Sequence, residues 1–372
     1  MPVADLLRAL LIACTASVPV IVQATRYEVP AGADLGEFVA QLPADATYLA
    51  LSKSARYTSK GDIVLPDGVL LIIDGCGATL ELGVGSHGFT RRIKDQADAM
   101  KKVSSRYAIR DFAAIEGGLK AIDLQATLGS TVTNCRLIGQ SVAAVDLRFC
   151  LMARLQNVLA TNPKGQGFVI RTGDWPGANW NNSQSNSTVL EQCRVYSSGS
   201  TTNAFAVLNS GGVRMLDCVS EGAVSDRDIY LAAVTDGNEE RLANNTVVKS
   251  FTLHNFHVEH KVRLESIHVN MPNQATVDLS NIYWNGKPEA PVIRYLRGQL
   301  NLSDIGWWSP DLRIVSRVTT PRINATRCHS QLRPGDKSQR TATRAGSFEL
   351  ADPFPGHTRL DLTYVRVSAP SR

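Results

Sequence analysis

Residues 132–135 read Val-Thr-Asn-Cys, and residues 155–158, 23 positions further on, read Leu-Gln-Asn-Val. In both stretches an amide stands two residues after one apolar side chain and one residue before another. The pattern occurs eight times, and its polar residues are Asp111, Asn134, Asn157, Gln192, Asp217, Asn255, Asn281 and Asp304. Counted in positions along the chain, the successive spacings are 23, 23, 35, 25, 38, 26 and 23. Such a period predicts a solenoid, in which each unit stacks on a copy of itself.

The polar residue of each repeat is predicted to be a corner of the chain. Side chains alternate between the faces of a strand, so the apolar positions before and after it can both face inward only if the chain turns there. Asn and Asp suit a corner because they tolerate left-handed backbone geometry, and stacked amides can hydrogen-bond from coil to coil. Unrelated strands of a β-sandwich would need turn signals every ~8 to 12 residues and would not explain a fixed corner.

A second strand precedes the corners, at residues 119–124, 142–147, 168–172, 204–209 and 229–234. A leucine-rich repeat has a similar length, but it needs a denser leucine pattern and a helix in each unit, and neither is seen in the sequence. We therefore predict an all-β fold, a right-handed parallel β-helix solenoid.

The N-terminal part reads Tyr-Glu-Val-Pro-Ala-Gly at residues 27–32, then a short helical stretch that ends at Leu42, then Gly-Asp-Ile-Val-Leu-Pro-Asp-Gly at residues 61–68. This order resembles the entry of pectate-lyase-like β-helix proteins, and the resemblance covers residues 26–310. It implies an N-terminal capping helix, which would cover the open end of the coil stack. It implies no single activity, because the architecture serves polysaccharide lyases, glycoside hydrolases, phage tailspikes and non-enzymatic virion fibres.

We divide the chain into an apolar N-terminal arm (residues 1–25), the β-helix (26–310) and a small basic C-terminal β tail (311–372). The arm is a poor transmembrane helix because Arg8 and Pro19 interrupt it, so no stable membrane span is expected. It is either an anchoring and assembly arm, which we favour, or a secretory signal. From Ser309 onward the chain carries eleven Lys and Arg against five Asp and Glu. This basic tail is expected to cap the last coil or to join neighbouring subunits. Nucleic acid is not its expected partner, because aromatic residues are not interleaved with the basic ones.

Three of the seven cysteines, Cys135, Cys193 and Cys218, directly follow a corner. They are expected to be buried free thiols, which fits folding in a reducing cytoplasm. No paired spacing indicates zinc and no cofactor motif is found, so neither a metal ion nor a cofactor is expected. Trp284 and Trp307 stand three residues after their corners, which favours the core over an outward surface.

Two coils are longer than the period, with the excess at residues 173–186 and 235–245. Both loops follow the second strand of a coil, so they are predicted to leave the same edge and to wall one groove. Asp174 in the first loop and Glu239 or Glu240 in the second are candidate catalytic residues. Two carboxyl groups about 6.5 to 9.5 Å apart would suit an inverting glycosidase. The alternative is that these charges are solvated loop tips.

The same loops carry the candidate glycan-binding residues Trp175, Trp180, Asn181 and Arg241. Indole rings with amide donors beside them suit stacking on sugars, although tryptophans can equally pin a loop to the coil beneath. Lyases of the family that the chain resembles use clustered aspartates for calcium and a basic residue as the base. Asp226 and Asp228 are the close pair in the sequence, and strand alternation turns Arg227 away from them, so the lyase motif is not matched.

Two functions fit this pattern. The first is a virion-associated structural or adhesion protein of a phage or related virus, a spike, fibre or capsid decoration. It would form a homotrimer, contact other virion proteins and bind a cell-surface glycan, and it would be located in the virion after folding in the host cytoplasm. The alternative is a secreted or virion-borne polysaccharide-degrading enzyme, a hydrolase or lyase, with its groove between the two loops.

Overall fold

All eight polar corner residues adopt a left-handed backbone conformation, with φ between 50° and 59°, in a computed structural model of the chain. Seven of the eight are Asn or Asp, and Gln192 shares their geometry with φ 54°. The predicted corners are therefore confirmed. The structure describes residues 25–43, 45–179, 181–223, 225–235, 238–242, 250–259, 262–272, 274–284, 293–307, 311–316, 322–326, 329–330, 347–351 and 366–367.

The corner amides form hydrogen-bonded ladders. Asn134 donates from Nδ2 to Oδ1 of Asp111 over 2.9 Å, and Asn157 donates to Oδ1 of Asn134 over 3.0 Å. In a second ladder Asn255 donates to Asp217 over 2.5 Å, and Asn281 donates to Asn255 over 3.1 Å. An amide inside a ladder donates to the coil before it and accepts from the coil after it, so one side chain serves two neighbours.

The coils stack through parallel strand pairing. Leu155 of one coil lies beside Val132 of the coil before it, and Val158 lies beside Cys135, so the register repeats at the spacing of the corners. The corner lies between these two pairs and divides the strand into two straight parts. The described strands thus form a parallel β-solenoid, the arrangement of a β-helix.

The first sheet contains the strands that carry the corners, and it has seventeen strands among the described residues. They are β1 (Arg26–Val29), β2 (Tyr48–Leu51), β3 (Arg56–Ser59), β5 (Leu70–Asp74), β6 (Thr79–Leu82), β8 (Arg106–Gly117), β10 (Thr131–Ile138), β12 (Arg154–Thr161), β14 (Val189–Glu191), β15 (Arg194–Ser197), β17 (Val213–Gly222), β21 (Ser250–Val258), β23 (Thr276–Trp284), β25 (Gln299–Ser303), β26 (Gly306–Trp307), β28 (Arg322–Thr326) and β29 (His329–Ser330).

The second sheet contains the predicted second strand of each coil, and it has twelve strands in the part of the chain described. They are β4 (Ile63–Val64), β7 (His87–Thr90), β9 (Lys120–Leu128), β11 (Ala143–Leu151), β13 (Gln166–Arg171), β16 (Asn203–Leu208), β18 (Arg227–Ala232), β22 (Ile267–Asn270), β24 (Ile293–Arg297), β27 (Asp311–Ser316), β30 (Ser347–Ala351) and β31 (Arg366–Val367). A separate antiparallel pair, β19 (Val234–Thr235) and β20 (Asn238–Leu242), follows β18.

One continuous apolar core fills the space between the sheets. Phe168 and Phe205 occupy matching positions in adjacent coils, with ring centroids 5.1 Å apart and nearly parallel planes. Phe256 of the first sheet meets Phe205 edge-on at 5.8 Å, so the aromatic stack joins the two sheets. Trp284 is buried in this core, as its phase predicts, whereas the side chain of Trp307 lies outside the described residues.

The cysteines that follow the corners are buried and free, which confirms the predicted interior thiols. Burial raises the pKa of Cys135 to about 12, so the group stays a neutral thiol at physiological pH. Cys150 is also buried and free, and burial raises its pKa to about 12 as well. These thiols behave as small apolar side chains of the core.

Among the residues that the structure describes, two short helices lie outside the sheets, α1 (Leu35–Ala40) and α2 (Gln96–Lys102). Asp34 caps the start of α1 by accepting a hydrogen bond from the backbone N–H of Glu37, and Asp95 caps α2 in the same way through Asp98. Leu35 of α1 is buried in the main core.

The described strands beyond residue 310, where we predicted the boundary of a C-terminal tail, continue the same two sheets. Ile323 of β28 lies beside Leu300 of β25, and Ile314 of β27 lies beside Ile293 of β24. A further amide ladder, outside the corners, joins these coils: Asn301 donates to Asp278 over 2.7 Å, and Asn324 donates to Asn301 over 2.8 Å. The predicted N-terminal arm, up to residue 24, lies outside the described residues.

Replacing one corner amide tests the ladder. Asn134→Val forces a β-branched residue into left-handed geometry and removes two side-chain hydrogen bonds, so we expect the free energy of unfolding to fall by about 2 kcal/mol or more. Asn134→Gly keeps the permitted backbone and loses only the hydrogen bonds, so it should cost about 1 kcal/mol. Urea denaturation of the three proteins measures the difference, and equal losses for Val and Gly would show that backbone geometry is not the constraint.

Candidate functional site

Charged side chains lie on the outward face of the second sheet, along strands β9, β11 and β13. In β9, Ile122 and Leu124 belong to the core, so strand alternation turns Asp123 outward between them. In the next coil Asp146 of β11 lies directly beside Asp123. Two aspartates separated along the chain by one full coil are therefore neighbours on one face.

Two arginines form the adjacent column of the same face. Arg148 of β11 lies beside Arg171 of β13, again one coil apart. The column of arginines runs next to the column of aspartates, so each guanidinium can reach a carboxylate of its own or the preceding coil. The repeat thus places a column of negative charges beside a column of positive charges.

Asp123 is almost completely buried, with 3% of its side chain exposed, and it accepts from several donors. Arg148 donates from Nη2 to both carboxylate oxygens, over 2.7 and 2.9 Å. Lys120 donates from Nζ over 3.1 Å and Thr90 from Oγ1 over 2.9 Å. A buried carboxylate is tolerated when it is paired and hydrogen-bonded in this way.

Asp146 is held in the same manner, by Arg171 of the next coil and Lys120 of the coil before it. Arg171 donates from Nε and Nη2 to its two oxygens, each over 2.9 Å, and Lys120 donates over 2.7 Å. Burial alone would raise the pKa of Asp146, but Arg171, Lys120 and Arg148 lower it to about 2. The group is therefore ionised at neutral pH, and Lys120 bridges it to Asp123.

Asp174 lies above these pairs, at the start of the first long loop. Arg148 donates from Nη1 to Oδ1 over 2.7 Å, and Arg171 donates from Nη1 to Oδ2 over 2.8 Å. Burial opposes ionisation, but the two guanidiniums hold the pKa of Asp174 below its ordinary value. Unlike the two buried aspartates, its side chain is 45% exposed.

The first loop is fixed to helix α2. Trp175 donates from Nε1 to Oε1 of Gln96 over 3.0 Å, and its ring packs against Phe149 with centroids 6.4 Å apart. The side chain of Gln96 also donates to the carbonyl of Asn182 over 3.0 Å. Phe149 has φ 53°, and this left-handed geometry lets it face outward directly after the outward Arg148.

The loop and the residues just before α2, Arg92 and Ile93, border a cleft of about 460 Å³ over the charged columns, within the range of ~300–1,000 Å³ usual for ligand pockets. Burial lowers the pKa of His87 at its floor, so this imidazole is neutral at pH 7, and Arg92 at the rim is paired with Asp62. The cleft is lined by His87, Arg92, Ile93, Lys120, Asp123, Gln125, Arg148, Arg171, Asp174, Trp175 and Pro176.

Of the predicted site residues, Asp174 and Trp175 line this cleft. Trp175 is 7% exposed and pins the loop, which is one of the two roles considered for it; a glycan contact stays a prediction. Asn181 is exposed, and its backbone N–H donates to Oδ1 of Asn179 over 2.9 Å. Trp180 lies outside the described residues.

The backbone of Glu239, Glu240 and Arg241 lies in β20, part of the antiparallel pair that follows β18. Their side chains lie outside the described part of the structure, so the catalytic pairing of Asp174 with Glu239 or Glu240 stays a prediction. The two loops do follow β13 and β18, which are separated by the single strand β16 in the second sheet.

The aspartates that are close in sequence do not form a joint site. Asp228 is buried and accepts from the hydroxyls of Ser220 and Ser266 over 2.7 and 2.5 Å. Asp226 instead pairs with Arg263, over 2.5 Å. The spatial pair is Asp123 and Asp146, and sequence reasoning missed it because it considered neighbours along the chain rather than positions one coil apart.

Among the described residues, no group of three or more His, Cys, Asp or Glu side chains is arranged to hold a metal ion. No helix in the same part of the chain is long and apolar enough to span a membrane. Comparison of the chain with protein-family models, with curated proteins and with solved structures finds no match.

Removing one buried carboxylate tests the ion network. Asp146→Asn leaves Arg171 and Lys120 short of a partner, so we expect the free energy of unfolding at pH 7 to fall by about 3 kcal/mol or more. The pKa of Asp146 is about 2 in the folded chain and about 3.9 in an unfolded one, so its stabilisation is present above pH ~4 and declines as the pH falls towards 2.

The free energies of unfolding of wild type and Asp146→Asn should therefore converge as the pH falls. Their difference should shrink by on the order of 2 kcal/mol from pH 6 to pH 2. Denaturation with urea across this range measures it. The matched control is Asp174→Asn, which removes the half-exposed carboxylate of the same network and should cost about 1 kcal/mol or less. A gap that stays constant with pH would contradict the ionised, paired state of Asp146.

Proposed function

We propose that this chain is a non-enzymatic, virion-associated β-helix protein of a phage or related virus, a spike, fibre or capsid decoration that binds a cell-surface glycan in the cleft over the second sheet. We further propose that it forms a homotrimer and that it contacts other virion proteins. The coils would wind right-handed, as ~98% of parallel crossover connections do. Helix α1 would cap the first coil, as in the pectate-lyase-like proteins and tailspikes that the sequence resembles.

The observation that favours binding over hydrolysis is the state of the cleft carboxylates. A glycosidase needs one carboxylic acid whose pKa is raised so that it can protonate the leaving group. Among the described residues that line the cleft, the carboxylates of Asp123 and Asp174 are both paired with cations. The pKa of Asp174 is lowered, as is that of Asp146 beside them. Such groups favour fixed, charge-paired recognition rather than proton transfer.

Two further features support the virion assignment. The buried free thiols fit folding in a reducing cytoplasm, where virion proteins are made before release. A long parallel stack with an uninterrupted core also suits an elongated fibre or spike, because each coil contacts only its neighbours and the length can vary.

An enzyme remains the second candidate because both long loops follow strands of the same sheet, two positions apart. In that case the acid would come from Glu239 or Glu240 of the second loop, with Asp174 as the base. The carboxyl separation would have to lie near ~6.5 to 9.5 Å for an inverting reaction.

The test uses the purified full chain on an array of bacterial and animal surface polysaccharides, with light scattering for the subunit count. We expect a mass three times that of one chain and saturable binding to at least one glycan, without release of new reducing ends. Arg171→Gln, in the cleft, should abolish binding. Arg154→Gln is the matched control, because Arg154 is an exposed residue of the first sheet paired with Glu191, and it should bind normally.

Release of reducing ends from the bound glycan would overturn the non-enzymatic assignment in favour of the second candidate. A monomeric chain that binds none of the polysaccharides would overturn the adhesion proposal itself.

A further inference from the structure

We propose that Arg148 and Arg171 form a carboxylate-binding clamp, which the side chain of Asp174 occupies in the free protein and which the carboxylate of an acidic sugar occupies in the complex. This inference rests on the proposed glycan binding and names its chemical class. It is based on the geometry of Arg148, Arg171 and Asp174, and on the buried ion pairs that the two arginines form beneath Asp174.

The clamp already holds a carboxylate at two points. One guanidinium comes from β11 and the other from β13, and each donates through Nη1 to a different oxygen of Asp174, over 2.7 and 2.8 Å. Arginine suits this task because its planar fork matches a carboxylate. Any carboxylate that reaches the same place would find the same two donors.

The arginines are positioned independently of Asp174. Arg148 makes two hydrogen bonds to Asp123 and Arg171 makes two to Asp146, and none of these four involves Asp174. Both supporting aspartates are buried, so the guanidiniums are held by a rigid floor. A site whose donors are oriented before the ligand arrives loses less entropy on binding.

The net charge of the cleft floor favours binding of an anion once the Asp174 side chain turns away. Lys120, Arg148 and Arg171 then face Asp123 and Asp146, which leaves one positive charge in excess among the described residues of the floor. His87 adds no charge because burial lowers its pKa, and Arg92 is neutralised by Asp62. With Asp174 in place the floor is neutral, so this residue acts as an internal substitute for the ligand.

Asp174 is the part of the network that can move at small cost. Its side chain is 45% exposed, whereas those of Asp123 and Asp146 are 3% and 4% exposed. Water reaches this carboxylate directly, so it can be hydrated again when the side chain turns outward, which the two buried carboxylates cannot. The neighbouring Trp175 is fixed to Gln96, so the Asp174 side chain can rotate away while the loop stays in place.

The cleft also offers a surface for the rest of a sugar. Ile93 and the exposed Pro176 line it beside the clamp, and such apolar groups suit the C–H face of a pyranose ring. The expected ligand is therefore a uronic or sialic acid residue within a glycan, with its carboxylate in the clamp and its ring against this edge.

The test titrates glucuronate and N-acetylneuraminate, with glucose as the neutral probe, into the full-length protein and follows binding by saturation-transfer NMR. Asp174→Asn keeps the shape of the side chain and removes its charge. We expect it to bind at least one of the two acids about tenfold more tightly than wild type, because the competing internal carboxylate is gone. Glu191→Gln, which removes a partly exposed carboxylate on the first sheet, is the matched control and should leave the affinity unchanged.

Arg171→Lys separates a clamp from a general positive field. It keeps the charge but loses the planar fork, so in the Asp174→Asn background it should remove the gain for the acids. Retention of the gain by the lysine variant would overturn the clamp. Thermal melts of each variant confirm that the chain is folded before its binding is compared.

An unchanged or weaker affinity of folded Asp174→Asn for both acids would also overturn the inference. If wild type still binds a neutral polysaccharide on the array, the clamp fails while the proposed glycan binding stands. If neither protein binds any acid or any polysaccharide, both fail together.

Discussion

The left-handed backbone at the polar corners is the constraint on which the rest of the structure depends. A straight strand would send the apolar side chains before and after the corner to opposite faces, so no closed core could form. The turn at each corner brings both inward, and Asn or Asp accepts that geometry at lower cost than other side chains. Hydrogen bonds between successive corner amides then align each coil with the next.

This alignment has a consequence on the outside of the coil. Once the register is fixed, side chains that stand one coil apart in the chain become neighbours on the second sheet. Asp123 meets Asp146 and Arg148 meets Arg171, and the two columns neutralise each other. Buried pairs of this kind are weak evidence for stability, because desolvation offsets much of the attraction. Their orienting effect on the arginines is the property that matters for ligand binding.

Much of the fold could be predicted from the sequence because each position of the repeat favours particular residue types. Asn and Asp tolerate the left-handed corner, and apolar residues fill the core on either side of it. The corner amides, the inward cysteines and the phase of Trp284 all followed from one pattern. The left-handed residues at Ala126 and Phe149 were not foreseen, since neither side chain favours that conformation. They mark a second turn of the coil. Packing of these side chains in the small cluster with Trp175 accompanies this turn, and the residue types themselves do not indicate it.

The site was harder to predict because its residues are distant in the chain. Attention to the long loops found Asp174 and Trp175, but not Lys120 or the two charged columns beneath them. The signal was present in the spacing, since Asp123 and Asp146, like Arg148 and Arg171, repeat at the interval of the corners. A search for charged residues at the corner period would have found them.

A crystal structure of the unliganded protein, at a resolution that defines side chains, would show whether the corners set the register of the second sheet. We expect left-handed corners, Asp123 beside Asp146, and the carboxylate of Asp174 shared between Arg148 and Arg171. Strands of the second sheet that pair at another register, so that these aspartates are not neighbours, would rule this arrangement out.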